Sequence, residues 1–195
     1  MFSYLANTTK TSLHAVIDSR DIGKLRLEAY PDADLCGTFD TTKSTSGGFL
    51  ALVGDNGTFV QLDWFSKKQT ATSHSTTEAE MVAMSKMLRE CLVPQMELWK
   101  LLIGGPVPGI LFEDNQSTIV VAKNGYSPQL RHLAKHHRIS LGLVHDFLKH
   151  EDISIEHVET TKQKGDLMTK GLVKGKHEEA LKLVNLLAGA MLLIW

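Results

Sequence analysis

The sequence predicts an α/β domain: a five-stranded mixed sheet flanked by helices, in the order βββαβααβα. Three observations lead there. An alternating run from Leu25 is followed by two apolar runs joined at Asp55-Asn56-Gly57, a strong helix start stands at Ser75, and two later short apolar runs each follow a helical stretch. Strands joined by a tight turn pair antiparallel, whereas strands reached through a helix lie parallel to a neighbour.

In order along the chain, Leu25, Leu27 and Ala29 fall on one face of a period-2 pattern and make the first strand. Gly48 to Val53 form the second. Asn56 and Gly57 accept positive φ at low cost and supply the hairpin turn, and Thr58 to Phe65 make the third strand. Ser75 and Glu78 have capping-box spacing, so a helix opens there and runs to about Leu92. Pro94 must kink it or divide it from Gln95 to Leu102. Ile110 to Phe112 form the fourth strand, and a helix from Gln116 to Lys123 stops at Asn124-Gly125. A further helix fits His132 to His150 with Leu143, Val144, Phe147 and Leu148 inward, Ile153 to Val158 alternate as the fifth strand, and Asp166 heads a last short helix.

A chain of 195 residues with 43% hydrophobic content is long enough for one cored domain. The net charge of −1 gives no global attraction to nucleic acid, so any such binding must come from a local basic surface. Cys36 and Cys91 are too few for a disulfide framework and lack zinc-site spacing; reduced, partly buried thiols are expected. The first ten residues lack a signal-peptide core, so an intracellular protein is expected. The apolar run from Leu186 to Trp195 is too short to cross a bilayer and reads as a truncated helix or frameshifted tail.

Asp32, Glu80, Asp114 and Asp166 each stand where an element begins or ends. If the first and fourth strands are parallel neighbours, Asp32 and Asp114 leave the sheet at its C-terminal edge, where open α/β sheets place their sites. Carboxylates gathered by a fold repel one another, and divalent cations are the usual means of holding them ionised. That points to a two-metal phosphoryl-transfer site. Each acid has a second reading. Asp34 lies on the same strand face as Asp32, and Glu78 competes with Glu80 but is engaged in the capping box. Glu80 shares a helix stripe with Ala83, Met84 and Met87. Asp114 could cap the following helix and Asp166 could simply complement a helix dipole.

Tyr30-Pro31-Asp32-Ala33-Asp34, Lys43-Ser44-Thr45-Ser46-Gly47-Gly48, Trp64-Phe65-Ser66-Lys67-Lys68-Gln69, Ser75-Thr76-Thr77-Glu78-Ala79-Glu80, Glu113-Asp114-Asn115-Gln116-Ser117, Lys135-His136 and Asp166-Leu167-Met168-Thr169-Lys170 occur in this order. Together they resemble the ribonuclease H region of copia-type long-terminal-repeat retrotransposon Pol polyproteins, from about Leu25 to Leu172. The resemblance implies a ribonuclease H-like fold, with Asp32, Glu80 and Asp114 as core metal ligands and Asp166 as the fourth. It further implies two Mg²⁺ ions, with Mn²⁺ as a substitute, and hydrolysis of the RNA strand of an RNA/DNA hybrid during reverse transcription. It assigns residues 1–24 to the end of a preceding reverse transcriptase region, 25–172 to the ribonuclease H-like domain and 173–195 to a C-terminal helical tail. Met1 to Leu5 read as the last piece of a helix. The expected partners are the hybrid and an upstream reverse transcriptase, with no membrane and no small-molecule cofactor. The expected location is the cytoplasm, in a virus-like particle of the parent element.

Arg131, Lys135, His136 and Arg138 concentrate cationic character in a short stretch, and Lys135-His136 corresponds to the family's basic motif. They are candidates for phosphate contacts, as are Lys67 and Lys68; a solvated helix face or charged strand end is the plainer reading. His132 and His136 lack the partners of a zinc site. Trp64 and Trp99 read as core. Leu35-Cys36-Gly37 stands where the family usually has Trp-Ala-Gly, which loses packing area beside the first aspartate, and 159–165 contains no histidine to assist product release. A catalytically silent nucleic-acid-binding or interaction module is the alternative function. An integrase-like strand-transfer enzyme is disfavoured by the Asp-Glu-Asp-Asp order. Without polymerase, integrase or protease motifs, the chain is expected to be a fragment or degenerate descendant of a polyprotein.

Overall fold

The computed structural model describes residue 6 and residues 8–36 and 42–188. Strands β1 (Thr11–Leu13), β2 (Arg26–Asp34), β3 (Thr45–Val53) and β4 (Phe59–Lys68) come first, then helix α1 (Thr76–Lys86), a π-helical turn (Met87–Leu92) and α2 (Val93–Ile103). They are followed by β5 (Gly109–Glu113), α3 (Gln116–Asn124), α4 (Leu133–His136), α5 (Leu141–Leu148) and β6 (Ile153–His157). Helices α6 (Asp166–Thr169) and α7 (Lys174–Leu183) and strand β7 (Leu186–Ala188) complete the order.

The main sheet has five strands in the order β4-β3-β2-β5-β6. β2, β3 and β4 pair antiparallel, and β5 joins β2 and β6 in parallel. This is the five-stranded mixed α/β sheet expected from the sequence. The β3–β4 hairpin turns at Gly57, where φ is 108°, and is clasped by a carboxylate the hairpin does not contain. Buried Asp21 accepts hydrogen bonds from the Asn56 amide at 2.9 Å, the Asn56 side chain at 2.7 Å and the Thr58 amide at 3.1 Å.

Pleating sends Leu27, Ala29, Leu50 and Leu52 to one face of the sheet, where Met81, Met84, Met87, Leu88 and Leu92 bury them. Tyr30, Phe49, Ala51 and Val53 face the other way and pack with Val158 and Val184. Both faces are therefore covered. Just past the end of β2, Leu35 packs on Ala33, Ala79 and Ala83.

Several expectations need correction. The single helix from His132 to His150 is two helices, because Arg138 adopts φ 57° and the Ser140 hydroxyl accepts from the Leu143 amide to start α5. Leu143 consequently faces out, while Val144 is buried. Trp64 is 54% exposed and is not core, whereas Trp99 packs against the core. Cys36 is exposed and only Cys91 is buried. As expected, the helix is divided beside Pro94: a π-helical turn separates α1 from α2, and Pro94 lies in the first turn of α2. Leu186 to Ala188 form not a helix but a strand, which pairs with β1. Met1 to Leu5, Gly37 and residues 189–195 lie outside the described residues.

Candidate active site

Parallel pairing of β2 with β5 sets Leu27 beside Gly109 and Ala29 beside Leu111. The same register carried three residues further places Asp32 beside Asp114 at the C-terminal edge of the sheet. Asp114 does not cap α3. Asn115 takes that role, its Oδ1 accepting from the Ser117 and Thr118 amides, which leaves the Asp114 carboxylate to the site. Glu80 arrives from α1, held inward by the buried stripe of Ala83, Met84 and Met87. Oxygens of Asp32, Glu80 and Asp114 lie within 4.8 Å of one another.

Asp32 is 1% and Glu80 3% exposed. Burial, and then the charges of Glu113, Asp32 and Asp114, push Glu80 up to about 11. Burial raises Asp32 to about 6 against the opposing pull of Lys170 and Thr169. Glu113, which is fully buried and was not singled out from the sequence, is raised well above the carboxylate range by burial. Glu80 Oε2 and Glu113 Oε2 are buried without a hydrogen-bond partner. Buried carboxylates without donors are costly unless something cationic meets them, and an all-oxygen carboxylate set suits a hard divalent ion. The residues present therefore fit such an ion.

Asp166 is not part of the 4.8 Å group. It faces Asp32 through Lys170, whose Nζ lies 2.5 Å from Asp166 Oδ1 and 3.3 Å from Asp32 Oδ1. Thr169 Oγ1 donates to Asp32 Oδ2. Two glycines let α6 approach this closely. A Cβ on Gly47 would stand 2.5 Å from Thr169 Cγ2, and one on Gly165 would stand 2.7 Å from the Tyr30 carbonyl oxygen. Buried Gln163 fixes the approach, donating from its amide to the Pro31 carbonyl at 3.0 Å and the Phe112 carbonyl at 3.3 Å while accepting from the Gly165 amide at 3.1 Å. Lys164 adds an anchor on the far face of the sheet, donating to the Tyr30 hydroxyl at 2.6 Å, which itself donates to Glu28 at 2.8 Å. Asp34, the rival of Asp32, is half-buried at the end of β2 and outside the group.

Glu78 is occupied elsewhere, as its capping role implies, but with more partners than a capping box supplies. Its amide donates to the Ser75 hydroxyl, its Oε2 accepts from the His74 amide at 2.8 Å, and its Oε1 lies 2.9 Å from His132 Nε2 and 3.2 Å from His137 Nε2. Burial raises Glu78, yet the His74 amide and the two imidazoles outweigh it and hold it below the usual range. This buried pairing anchors the basic segment to α1. Arg131, Lys135, His136 and Arg138 are exposed along it, with Arg131 donating to the Tyr126 hydroxyl. Lys67 and Lys68 are the exposed last residues of β4 and line a groove with Lys86 and Arg89, which the sequence reading did not single out. Their signal was position: both follow Val82 by helical steps beside the buried stripe. Lys170 likewise announced itself by its i,i+4 spacing from Asp166.

No family model matches the chain. It is 27% identical over 161 residues to the retrovirus-related Pol polyprotein from transposon TNT 1-94 of Nicotiana tabacum, a match covering 82% of this chain and 11% of that one. It is 29% identical over 148 residues to the Pol polyprotein from transposon RE1 of Arabidopsis thaliana, covering 76% of this chain and 10% of that one. The chain is a relative of these Pol polyproteins. It spans about a tenth of their length. Among solved structures it is similar to the solution structure of the PFV RNase H domain, with a TM-score of 0.45, 16% identity and coverage of 82% of this chain and 92% of that one. RNase H1 from the archaeon Halobacterium salinarum gives a TM-score of 0.44 at 18% identity, covering 80% and 98%.

Proposed function

We propose that this relative of the Pol polyproteins is a divalent-metal ribonuclease H that hydrolyses the RNA strand of RNA/DNA hybrids during reverse transcription. The observation that carries the reading is the convergence of Asp32, Glu80 and Asp114 oxygens within 4.8 Å at the C-terminal sheet edge. In this reading those three residues, with Asp166, would hold two Mg²⁺ ions. When bound, such ions activate a water and stabilise the leaving oxygen of an in-line displacement. The chain's own part is to hold four carboxylates at one edge, to fix the approach of α6 to β2 through Gln163 and Gly165, and to present cations to the substrate backbone.

Lys67, Lys68, Arg131, Lys135, His136 and Arg138 are assigned to phosphates, together with Lys86 and Arg89 of the groove that Lys67 and Lys68 line. Such contacts position a duplex without reading its sequence, and hybrid recognition by groove shape and 2′-hydroxyls needs no base readout. An upstream reverse transcriptase domain is proposed as the partner that delivers the hybrid.

The test is incubation of the chain with an end-labelled RNA/DNA hybrid and Mg²⁺, alongside Glu80→Gln, Asp114→Asn and a chelator. Cleavage of the RNA strand that all three abolish supports the reading. Cleavage indifferent to them, or hybrid binding with no cleavage, overturns it.

A further inference from the structure

The acidic site has two unlike halves. On one side Asp32, Glu80 and Asp114 turn oxygens toward one another, and buried Glu80 Oε2 has no hydrogen-bond partner. On the other, the Lys170 ammonium lies between Asp32 Oδ1 and Asp166 Oδ1, at 3.3 and 2.5 Å, while Thr169 holds Asp32 Oδ2. Among the described residues Glu80 and Asp114 have no cation in ion-pair contact, whereas Asp32 and Asp166 share one.

Resting on the reading above, in which these four carboxylates hold two divalent ions, we propose that Lys170 competes with the ion at Asp32 and Asp166, so that this ion binds second, only when Lys170 leaves, after the first ion at Asp32, Glu80 and Asp114. A carboxylate oxygen that holds an ammonium at hydrogen-bond distance cannot also face a dication at about 2.1 Å without bringing two cations nearly into contact. Lys170 is suited to leaving. Its side chain is 33% exposed, and lysine carries a compact charge on a flexible stem that reaches solvent readily. Lys170 is thus a tethered counter-ion that bridges Asp32 and Asp166. It sets the order in which the site fills and is not a catalytic residue.

The experiment is Mn²⁺ titration of the full chain, with free Mn²⁺ counted by electron paramagnetic resonance, on the wild type and on Lys170→Met, Lys170→Arg, Asp166→Asn and Glu80→Gln. The wild type is expected to bind one ion tightly and a second at least about tenfold more weakly. Lys170→Met should tighten the second by at least about tenfold and the first by much less, because a charge is removed from the nearer position. Lys170→Arg should keep the inequality, and Asp166→Asn should remove the second ion alone. Two equal sites in the wild type overturn the proposal without any variant, as does a second site that Lys170→Met leaves unchanged or weakens. Should Lys170→Met not fold, Lys170→Gln removes the same charge and answers the same question. A different outcome, no Mn²⁺ bound by any form or a first ion indifferent to Glu80→Gln, sinks the metal-binding reading itself and the proposal with it.

Discussion

Gly165 lies directly against Asp32: a Cβ on the glycine would stand 2.8 Å from the Cβ of Asp32. The backbone of the segment leading into α6 therefore rests on β2 at the residue that begins the acidic cluster. No side chain fits between them. Gly165→Ala is expected to destabilise the fold by about 1–3 kcal/mol, the usual cost of overpacking, and to lift Asp166 from Asp32. Urea unfolding measures the first effect. Mn²⁺ binding measures the second, since the ion shared by Asp32 and Asp166 should be lost before the ion held by Glu80 and Asp114.

The cluster also fixes how stability responds to pH. Glu80 stands at about 11 when folded against 4.5 as an ordinary glutamate, and Asp32 at about 6 against 3.8. Groups raised on folding bind more protons in the folded chain than in the unfolded one, so stability falls as pH rises through that window. The metal-free protein is expected to lose stability steadily above the ordinary carboxylate range, and saturating Mg²⁺ should flatten the fall. Unfolding midpoints measured from about pH 5 to 8, in chelator and in Mg²⁺, test this. A metal-free profile that climbs with pH contradicts it.

Asp21 makes the opposite contribution. The bonds it accepts from Asn56 and Thr58 outweigh burial and hold its carboxyl below the usual range. Stability from such a group is complete above its unfolded value and is lost as pH falls through its folded one, hence only in strong acid. Asp21→Ala should leave the Asn56 and Thr58 amides without their acceptor, lower the melting temperature at neutral pH and shrink the acid-dependent loss. Thermal unfolding at neutral and acid pH separates the two effects.

The basic residues at the end of β4 and in the Arg131–Arg138 segment should act through phosphates. Replacing Lys135 or Lys67 by Ala is expected to weaken hybrid binding equally for unrelated sequences and to reduce the slope of log affinity against log salt by about one unit per contact. Fluorescence anisotropy across a salt series checks it. A loss confined to one sequence indicates base readout instead.

Glu78→Gln should affect the same surface from beneath. Its Oε1 faces both His132 and His137. Neutralising it weakens the attachment of the Arg131–Arg138 segment, so hybrid affinity is expected to fall while the first Mn²⁺ ion binds as before. Anisotropy and Mn²⁺ titration read the two separately.

The parts of this arrangement that local pattern determines were legible in advance. Asp32 near the end of β2, Glu80 early in α1 and Asp114 just past β5 each belong with an element whose own alternation, capping or helical stripe is visible within a dozen residues. What stayed hidden depends on distance or competition. Ser140 and Arg138 start a new helix inside a pattern that reads as continuous, because one cap and one positive φ outweigh the apolar period. The two imidazole partners of Glu78 lie more than fifty residues away, and Lys164 meets Tyr30 from the opposite end of the domain. Trp64 looked like core from its residue type, but residue type does not say which face of an edge strand a side chain takes.

The pairing of Thr11–Leu13 with Leu186–Ala188 bears on where this domain can be cut. Gln61, on the outermost strand of the main sheet, donates from its one amide nitrogen to the carbonyls of His14 and Val184 and so stitches both flanking segments to that edge. Trimming to 25–172 would strip away both acceptors and bare the outer strand along its open side, inviting self-association of the excised piece. A soluble fragment should keep both straps or neither the edge nor its guardian glutamine will be satisfied.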